Sequence, residues 1–330
     1  MRRLGAVALT VAVSLGLAAC AETEPEPEPV TVGLIIKQDE NPFFVEIREV
    51  AQDTADELDA ELLTAAGRSD VDNASQVAAL ERMSSAGAEG ILITPADSRA
   101  IVPAIERARA AGVTVIALDT PTEPESAVDA VFATDNRLAG ELVGRYARAR
   151  AEQDELEPQI ALLDLAPGIT SGELRRAGFL AGFGIREGDP RVVGSVDTEG
   201  DETKGRVGMR RLLERTPGIN VVYAVNEPAA FGAIAALEAA GKDADDVLLV
   251  TVDGGCQAMK EGIRAGDIDA TSQQYPENMG REGVEAIVRN TRGGEPPAGY
   301  LNTGVELIAA EPAPGVDSRD EAFGTRNCWG

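Results

Sequence analysis

The chain has 330 residues, with 30 Lys and Arg against 56 Asp and Glu, no His and three Cys. A net charge of −26 opposes nucleic acid and anionic lipid as direct partners, because the summed field repels phosphate. Without His the usual nucleophile and base arrangements and most zinc sites are excluded, so acid/base chemistry would fall to carboxylates, Lys or Tyr.

Met1, Arg2 and Arg3 precede an apolar run from Leu4 to Leu17 that is interrupted only by the hydroxyls of Thr10 and Ser14. A basic start, a short apolar core and small closing residues read as a secretory signal over residues 1–19, not as a membrane span. Leu17-Ala18-Ala19-Cys20 resembles the bacterial lipoprotein signal, in which cleavage leaves Cys20 as an N-terminus acylated through its sulfur. The chain is therefore expected to be exported and lipid-anchored, on the outer side of the cytoplasmic membrane or in the periplasm. Residues 20–30 then alternate Glu and Pro, which favours an extended tether of roughly 3 Å per residue. Loss of Arg2 and Arg3 with the signal takes the charge from −26 to −28.

From Val30 onward, short apolar runs alternate with amphipathic stretches. The first runs are Val32 to Ile36, Glu61 to Thr64, Gly90 to Thr94 and Val113 to Leu118, and Phe44, Ile47, Ala51, Ala55 and Leu58 fall on one helical face between them. Val131 to Ala133 reads as a strand leading through Thr134-Asp135-Asn136 into a helix carrying Leu138, Leu142, Val143 and Tyr146, a plausible crossing point. A second series follows, Gln159 to Leu163, Arg191 to Val196, Ile219 to Val225 and Val247 to Val252, with helices starting near Ser171, Thr203, Glu227 and Gly255. Strands that are apolar throughout and separated by helices imply parallel sheets covered on both faces, and two such series imply two doubly wound α/β lobes. No Gly-x-Gly-x-x-Gly run follows a strand and no phosphate-binding loop is present, so no nucleotide cofactor is expected, nor any metal.

With Cys20 committed to lipid, Cys256 and Cys328 remain. Two thiols in an oxidising compartment suggest one disulfide, clipping the C-terminal tail to the body. Closing so long a loop is worth about 4 kcal/mol of chain entropy. A catalytic thiol would lack a His partner.

Open α/β sheets bind ligands beyond the carboxyl ends of their strands. There stand Asn41-Pro42-Phe43-Phe44, where Asn caps and Pro starts a helix, leaving two adjacent aromatics in a chain with only 12 to serve as a platform for a sugar face. Asp119 and Asp253 each follow a strand where a carboxylate would accept from ligand hydroxyls, and the Asn226 amide can donate and accept at once.

These segments, together with Ile93-Thr94-Pro95-Ala96-Asp97, Ala133-Thr134-Asp135-Asn136, Asn226-Glu227, Val252-Asp253-Gly254 and Gln273-Gln274-Tyr275-Pro276, resemble the ribose-binding-protein-like type I solute receptors of ABC transporters. The resemblance runs in order from about Val30 to Ile308. It implies two lobes joined by three crossing strands, residues 31–134 plus 275–303 and residues 135–274 plus 304–330. It also implies a monosaccharide ligand, ABC permease subunits as partners, a monomeric receptor and hinge closure on the ligand. By the same resemblance Phe43 and Phe44 lie on the sugar faces, while Asn41, Asp119, Asn226, Asp253 and Gln274 bond hydroxyls. The family Arg is matched by Arg175, with Arg176 as the alternative. The ribose-type pattern has Asn at Thr94 and Arg at Thr120, departures that argue against ribose itself, and Thr94 is kept in the expected ligand set. Lys37, Asn226-Glu227-Pro228-Ala229-Ala230, Asp253-Gly254-Gly255-Cys256 and Cys328-Trp329-Gly330 look like the fructose-type branch. Lys37 is accordingly a candidate contact and fructose the best guess. The rival readings are a receptor passing a sugar or autoinducer signal to a membrane sensor, and a glycosidase using Asp119 and Asp253 as its carboxylate pair. A sugar-responsive repressor is opposed by the signal segment and by the lack of a helix-turn-helix before Val30.

Overall fold

A computed structural model describes residues 29–242 and 246–330; the signal segment, Cys20 and most of the Pro-Glu tether lie outside the described residues. In chain order the first half comprises β1 (Val30–Ile36), α1 (Pro42–Glu57), β2 (Ala60–Ala66), α2 (Asn73–Ser85), β3 (Gly90–Ile93), α3 (Val102–Ala110), β4 (Thr114–Leu118), β5 (Ala130–Ala133) and α4 (Asn136–Gln153). The second half comprises β6 (Ile160–Asp164), α5 (Thr170–Phe183), β7 (Val192–Asp197), α6 (Glu202–Arg215), β8 (Val221–Ala224), α7 (Glu227–Ala239), β9 (Leu248–Asp253), β10 (Ala270–Gln274), α8 (Pro276–Thr291), β11 (Gly299–Asn302), β12 (Val305–Ala309) and α9 (Glu321–Arg326).

Two six-stranded sheets form the two lobes, in the orders β11-β5-β4-β3-β1-β2 and β12-β10-β9-β8-β6-β7. All pairings are parallel except that β12 runs against β10, with Gln274 opposite Val305. Strand side chains alternate between two faces. On β1, Val32, Leu34 and Ile36 join the cluster built on α1 and α8, whereas Ile35 joins the opposite cluster with Ile91, Ile93 and the α2 and α3 side chains. The second sheet repeats this: Leu162 and Tyr223 pack towards Val143 and Phe179, while Leu163 and Ala224 pack towards Met209 and Ala233. Each fully buried Leu, Ile or Val contributes about 1.5–3 kcal/mol, which is why strands without a polar face form here.

The sheet orders match position for position, so β4 corresponds to β9, β3 to β8 and β1 to β6. The chain passes between the sheets three times: after β5, after β10 and between β11 and β12. The expected strands recur with ends shifted by at most two residues, β2 among them, which runs on from Thr64 to Ala66. The helix expected near Gly255 differs in kind, because residues Ala258–Ile263 wind as a π-helix after Cys256 and Gln257. Its start is pinned by the Glu227 carboxylate, which accepts from the Gly255 N–H at 2.8 Å and the Ala258 N–H at 2.9 Å. Cys256 and Cys328 are disulfide-bonded across 72 residues of sequence.

Candidate functional site

The carboxyl ends of both sheets face one cleft. At the end of β1, Asn41 caps α1 by accepting the Phe43 N–H at 2.9 Å, and Pro42 supplies the fixed φ of the first turn. This entry presents Phe43 and Phe44 with perpendicular rings, their centroids 5.5 Å apart. Asp119 and Asp253 stand at the corresponding ends of β4 and β9, and both have left-handed backbone, φ 61° and φ 103°. A non-glycine residue held there costs about 1–3 kcal/mol and is tolerated best by Asp and Asn. The same strained turn thus aims a carboxylate into the cleft from each lobe.

Arg175, on α5 of the second lobe, lies between them. Its Nε donates to Asn136 Oδ1 at 2.6 Å, Nη1 donates to the Val225 carbonyl at 3.2 Å and to Asp253 Oδ1 at 3.3 Å, and Nη2 donates to Asp119 Oδ1 at 3.3 Å. Arg175 reaches this place because α5 packs directly on α4. A Cβ added at Gly140 would sit 1.9 Å from the Arg175 carbonyl oxygen, and one at Gly178 would sit 2.0 Å from that of Arg137, so only glycine permits the approach. Asn136 is fixed in turn by donating to the Asp119 and Thr134 carbonyls.

Lys37 enters from β1. Its Nζ donates to Thr120 Oγ1 at 2.9 Å, stands 3.4 Å from Asp119 Oδ2 and lies 5.4 Å from the centre of the Phe44 ring. Asp70, beyond β2, accepts from Gln38 Nε2 at 2.8 Å. Burial pushes the carboxyls of Asp70 and Asp253 upward, opposed chiefly by Lys37 for the former and by Arg175 for the latter. Three carboxylates therefore face two cations, an excess that suits hydroxyl donors better than an anionic ligand.

Within this ring is a hollow of about 20 Å³, room for roughly one water. Its lining includes Lys37, Asn41, Phe43, Phe44, Asp119, Arg175, Asn226 and Asp253 from the expected set, and also Asp70, Leu165 and Ser171, which the sequence reading missed. Outward it adjoins a larger cavity of about 490 Å³ between Gln38, Glu40 and Pro42 of one lobe and Gly200–Thr203, Pro228, Phe231 and Gln257 of the other, closed at one side by Trp329 and Gly330. Thr94 and Gln274 do not line the hollow. Thr94 is fully buried, its hydroxyl without a partner among the described residues. Gln274 acts from behind, donating Nε2 to Asp253 Oδ1 at 2.7 Å and leaving its buried Oε1 unpartnered among the described residues. Asn226 lines the hollow with both amide atoms engaged: Oδ1 accepts the Ala229 N–H at 3.2 Å, and Nδ2 donates to the Gly200 carbonyl at 3.1 Å. Arg176 faces away, bonded to Asp164 and, at 2.7 Å, to Glu187.

Asp70 was findable by strand-end reasoning had β2 been taken as far as Ala66. Leu165 follows β6 and Ser171 stands in the first turn of α5, and nothing in the local sequence of either marks a side chain that turns into the hollow. Across the described residues no group of three or more His, Cys, Asp or Glu is arranged to hold a metal, and no helix is long and apolar enough to cross a membrane.

Two matched α/β lobes, with strand ends turned to one shared polar cleft and three chain crossings between them, define a two-lobed solute receptor. The chain belongs to the periplasmic binding protein family, whose domain matches residues 32–295. It is 30% identical over 256 residues to the ribose import binding protein of Bacillus subtilis, covering 78% of this chain and 80% of that one. It is 31% identical over 270 residues to the ribose import binding protein of Salmonella typhimurium, covering 82% and 88%. Among solved structures, an ABC transporter periplasmic solute-binding protein from Actinobacillus succinogenes with bound D-allose superposes with a TM-score of 0.75 at 26% identity, covering 86% of this chain and 98% of that one. The relatives are solute-binding proteins, and this chain is a binding protein of the same class, not an enzyme.

Proposed function

We propose that the chain is the extracytoplasmic receptor of an ABC sugar importer, that it holds one monosaccharide between its lobes, and that it hands the sugar to the permease subunits. The observation that carries this reading is the inter-lobe arginine: Arg175 of the second lobe spans Asp119 of the first and Asp253 of its own beside the Phe43 and Phe44 rings. Contacts of 3.3 Å are at the long end for charge-assisted hydrogen bonds and are readily exchanged for sugar hydroxyls. The family, and relatives named for ribose and allose, support the sugar class.

The hollow is far smaller than a monosaccharide, so entry requires the lobes to part and Arg175 to turn towards the ligand. The three crossings serve as the hinge, dividing the chain into 31–134 plus 275–303 and 135–274 plus 304–330. Closure re-forms inter-lobe bonds such as Ser98 N–H to the Gly168 carbonyl at 2.9 Å and Thr170 N–H to Ser98 Oγ at 3.1 Å. Asp119 and Asp253 accept from hydroxyls, Lys37, Asn41 and Arg175 donate, Phe43 and Phe44 cover the apolar ring face, Gln274 Nε2 holds the Asp253 carboxylate from behind, and Thr94 lies buried beneath the cleft.

Within the class we take D-fructose as the first candidate. Thr120 and Thr94 stand where the ribose-type pattern has Arg and Asn, and the bond from Lys37 to Thr120 brings a cation from β1 to the place that Arg would fill. Export with acylation of Cys20, and a monomeric receptor, complete the reading; replacing Cys20 by Ala would release the protein from membranes.

The test is a thermal-shift screen of the protein without residues 1–20 against fructose, ribose, allose, galactose, glucose and arabinose, with calorimetry on each hit. A ligand binding only the native state raises the melting temperature by mass action. One sugar is expected to give a strong shift that Asp119→Asn and Arg175→Met abolish. No shift with any sugar would overturn the monosaccharide reading, and shifts with ribose but not fructose would overturn the finer one.

A further inference from the structure

We propose that Trp329 is a positioning residue of the ligand cleft, carried into the first lobe by a disulfide-held C-terminal strap so that it sets Phe43 and Gln274; this rests on the monosaccharide reading. The strap starts in the second lobe, where Cys328 is bonded to Cys256 just beyond β9 and the Cys256 N–H donates to the Trp329 carbonyl at 2.9 Å. From there the indole crosses above Gly255, so closely that a Cβ added at Gly255 would stand 3.1 Å from the ring. The ring is 6% exposed and belongs to the apolar cluster of the other lobe, with Phe44, Ile47, Ile36 and Met279.

Two contacts tie it to the cleft. The indole meets Phe43 edge-on, centroids 5.4 Å apart at 79°, while Phe44 meets Phe43 at 87° on another side. Phe43 is thereby held between two rings and cannot rotate without dislodging one of them. The indole Nε1 donates to the Gln274 carbonyl at 2.9 Å, at the last residue of β10 before the chain crosses lobes. The Gln274 side chain in turn holds Asp253 Oδ1 at 2.7 Å. Beyond the ring, the Gly330 N–H reaches the Glu46 carboxyl on α1, helping to lower it against the upward push of burial. A segment covalently fixed to one lobe thus ends in the core of the other, beside a crossing, and orients one aromatic and one carboxylate of the cleft without itself lining the inner hollow.

Trp329 is the only tryptophan in the chain, so its emission reports the strap directly. The parent, Trp329→Phe, Trp329→Ala and the double variant Cys256→Ser/Cys328→Ser are titrated with D-fructose, D-ribose and D-allose by calorimetry, below the melting transition of all four. Trp329→Ala is expected to bind the best of these sugars about tenfold more weakly, and Trp329→Phe, which keeps a ring against Phe43, to return to within about threefold of the parent. If Trp329→Ala lowers the melting temperature but binds as the parent does, the residue is merely structural and the proposal fails. Sugar-free acrylamide quenching supplies a second arm: Trp329 emission is expected to be weakly quenched in the parent and several-fold more strongly in the double Ser variant. Equal quenching would mean that the disulfide does not hold the strap, and would overturn that half of the proposal. Should the parent bind none of the three sugars, the monosaccharide reading falls, and the quenching arm still decides whether the strap is held.

Discussion

Replacing Arg175 by Met keeps an unbranched apolar stem and removes, among the described residues, the one side chain bonded to both Asp119 and Asp253. Breaking a buried pair while leaving its partners in place costs about 3–5 kcal/mol, because a charge stays desolvated without compensation. The cost should depend on pH. Burial already raises the Asp253 carboxyl, and Arg175 is the main influence holding it down, so its loss raises that group further. A carboxyl raised in the folded state contributes stability that is fully present below its unfolded value of about 3.9 and is lost as pH rises through the folded one. Arg175→Met should therefore lose the full 3–5 kcal/mol at about pH 8, a fall of roughly 6–10 °C in melting temperature, and less at about pH 5, because the upward shift favours the neutral Asp253 carboxyl as pH falls. Scanning calorimetry of ligand-free parent and variant at both pH values measures this. A loss below about 1 kcal/mol, or an equal loss at both, would refute the ion-pair reasoning.

Glu227, buried beside Asp253, is pushed up to about 7 by burial and then by that neighbour, so the stability it contributes is fully present below its ordinary value and lost as pH rises through about 7. It accounts for about 3 kcal/mol of pH-dependent stability, and Glu227→Gln should flatten the melting curve between about pH 5 and pH 8; an unchanged slope would exclude it as the source. At Asp119 the left-handed backbone suits Asn better than Ala, so Asp119→Ala should melt below Asp119→Asn by the equivalent of about 1 kcal/mol, and equal stabilities would argue against backbone strain there. Gly178→Ala forces a Cβ against the Arg137 carbonyl, so a loss of about 1–3 kcal/mol with weakened sugar binding is expected, while a variant that melts as the parent does would mean that α4 and α5 can separate freely.

Much of this architecture is legible in the sequence because buried parallel strands have no polar face: Gly90-Ile91-Leu92-Ile93 admits few other readings between two amphipathic stretches. The strand-end rule then places Asp119, Asn226 and Asp253 at one cleft without coordinates. What it cannot supply is what each side chain does on arrival. The Asn226 amide is taken up by a helix cap and a loop carbonyl, and Thr94 lies under the cleft floor, distinctions that depend on loops of irregular geometry. Asp70 stands beyond the last residue expected for β2, and Ser171 opens a helix with no local mark of whether its side chain turns inward or faces water. The two body cysteines point to a tail clipped onto the second lobe, yet that Trp329 would enter the core of the first depends on where the lobes meet. The π-helical winding after Gln257 has no sequence signature we recognise.

The interleaving of the two sheets constrains when this molecule can fold. Met279, Val284 and Ile287 of α8 are integral to the core around β1 and α1, and β11 forms the edge of the same sheet. The first lobe therefore cannot complete its interior until synthesis has passed Thr291, long after its first five strands exist, and the second lobe waits for β12. Contacts of such long sequence separation form slowly, since a large loop entropy must be overcome before they stabilise anything. A nascent chain of this design cannot complete either lobe until late in its synthesis, and an incompletely folded polypeptide is one that can be threaded across a membrane before its cysteines meet an oxidant.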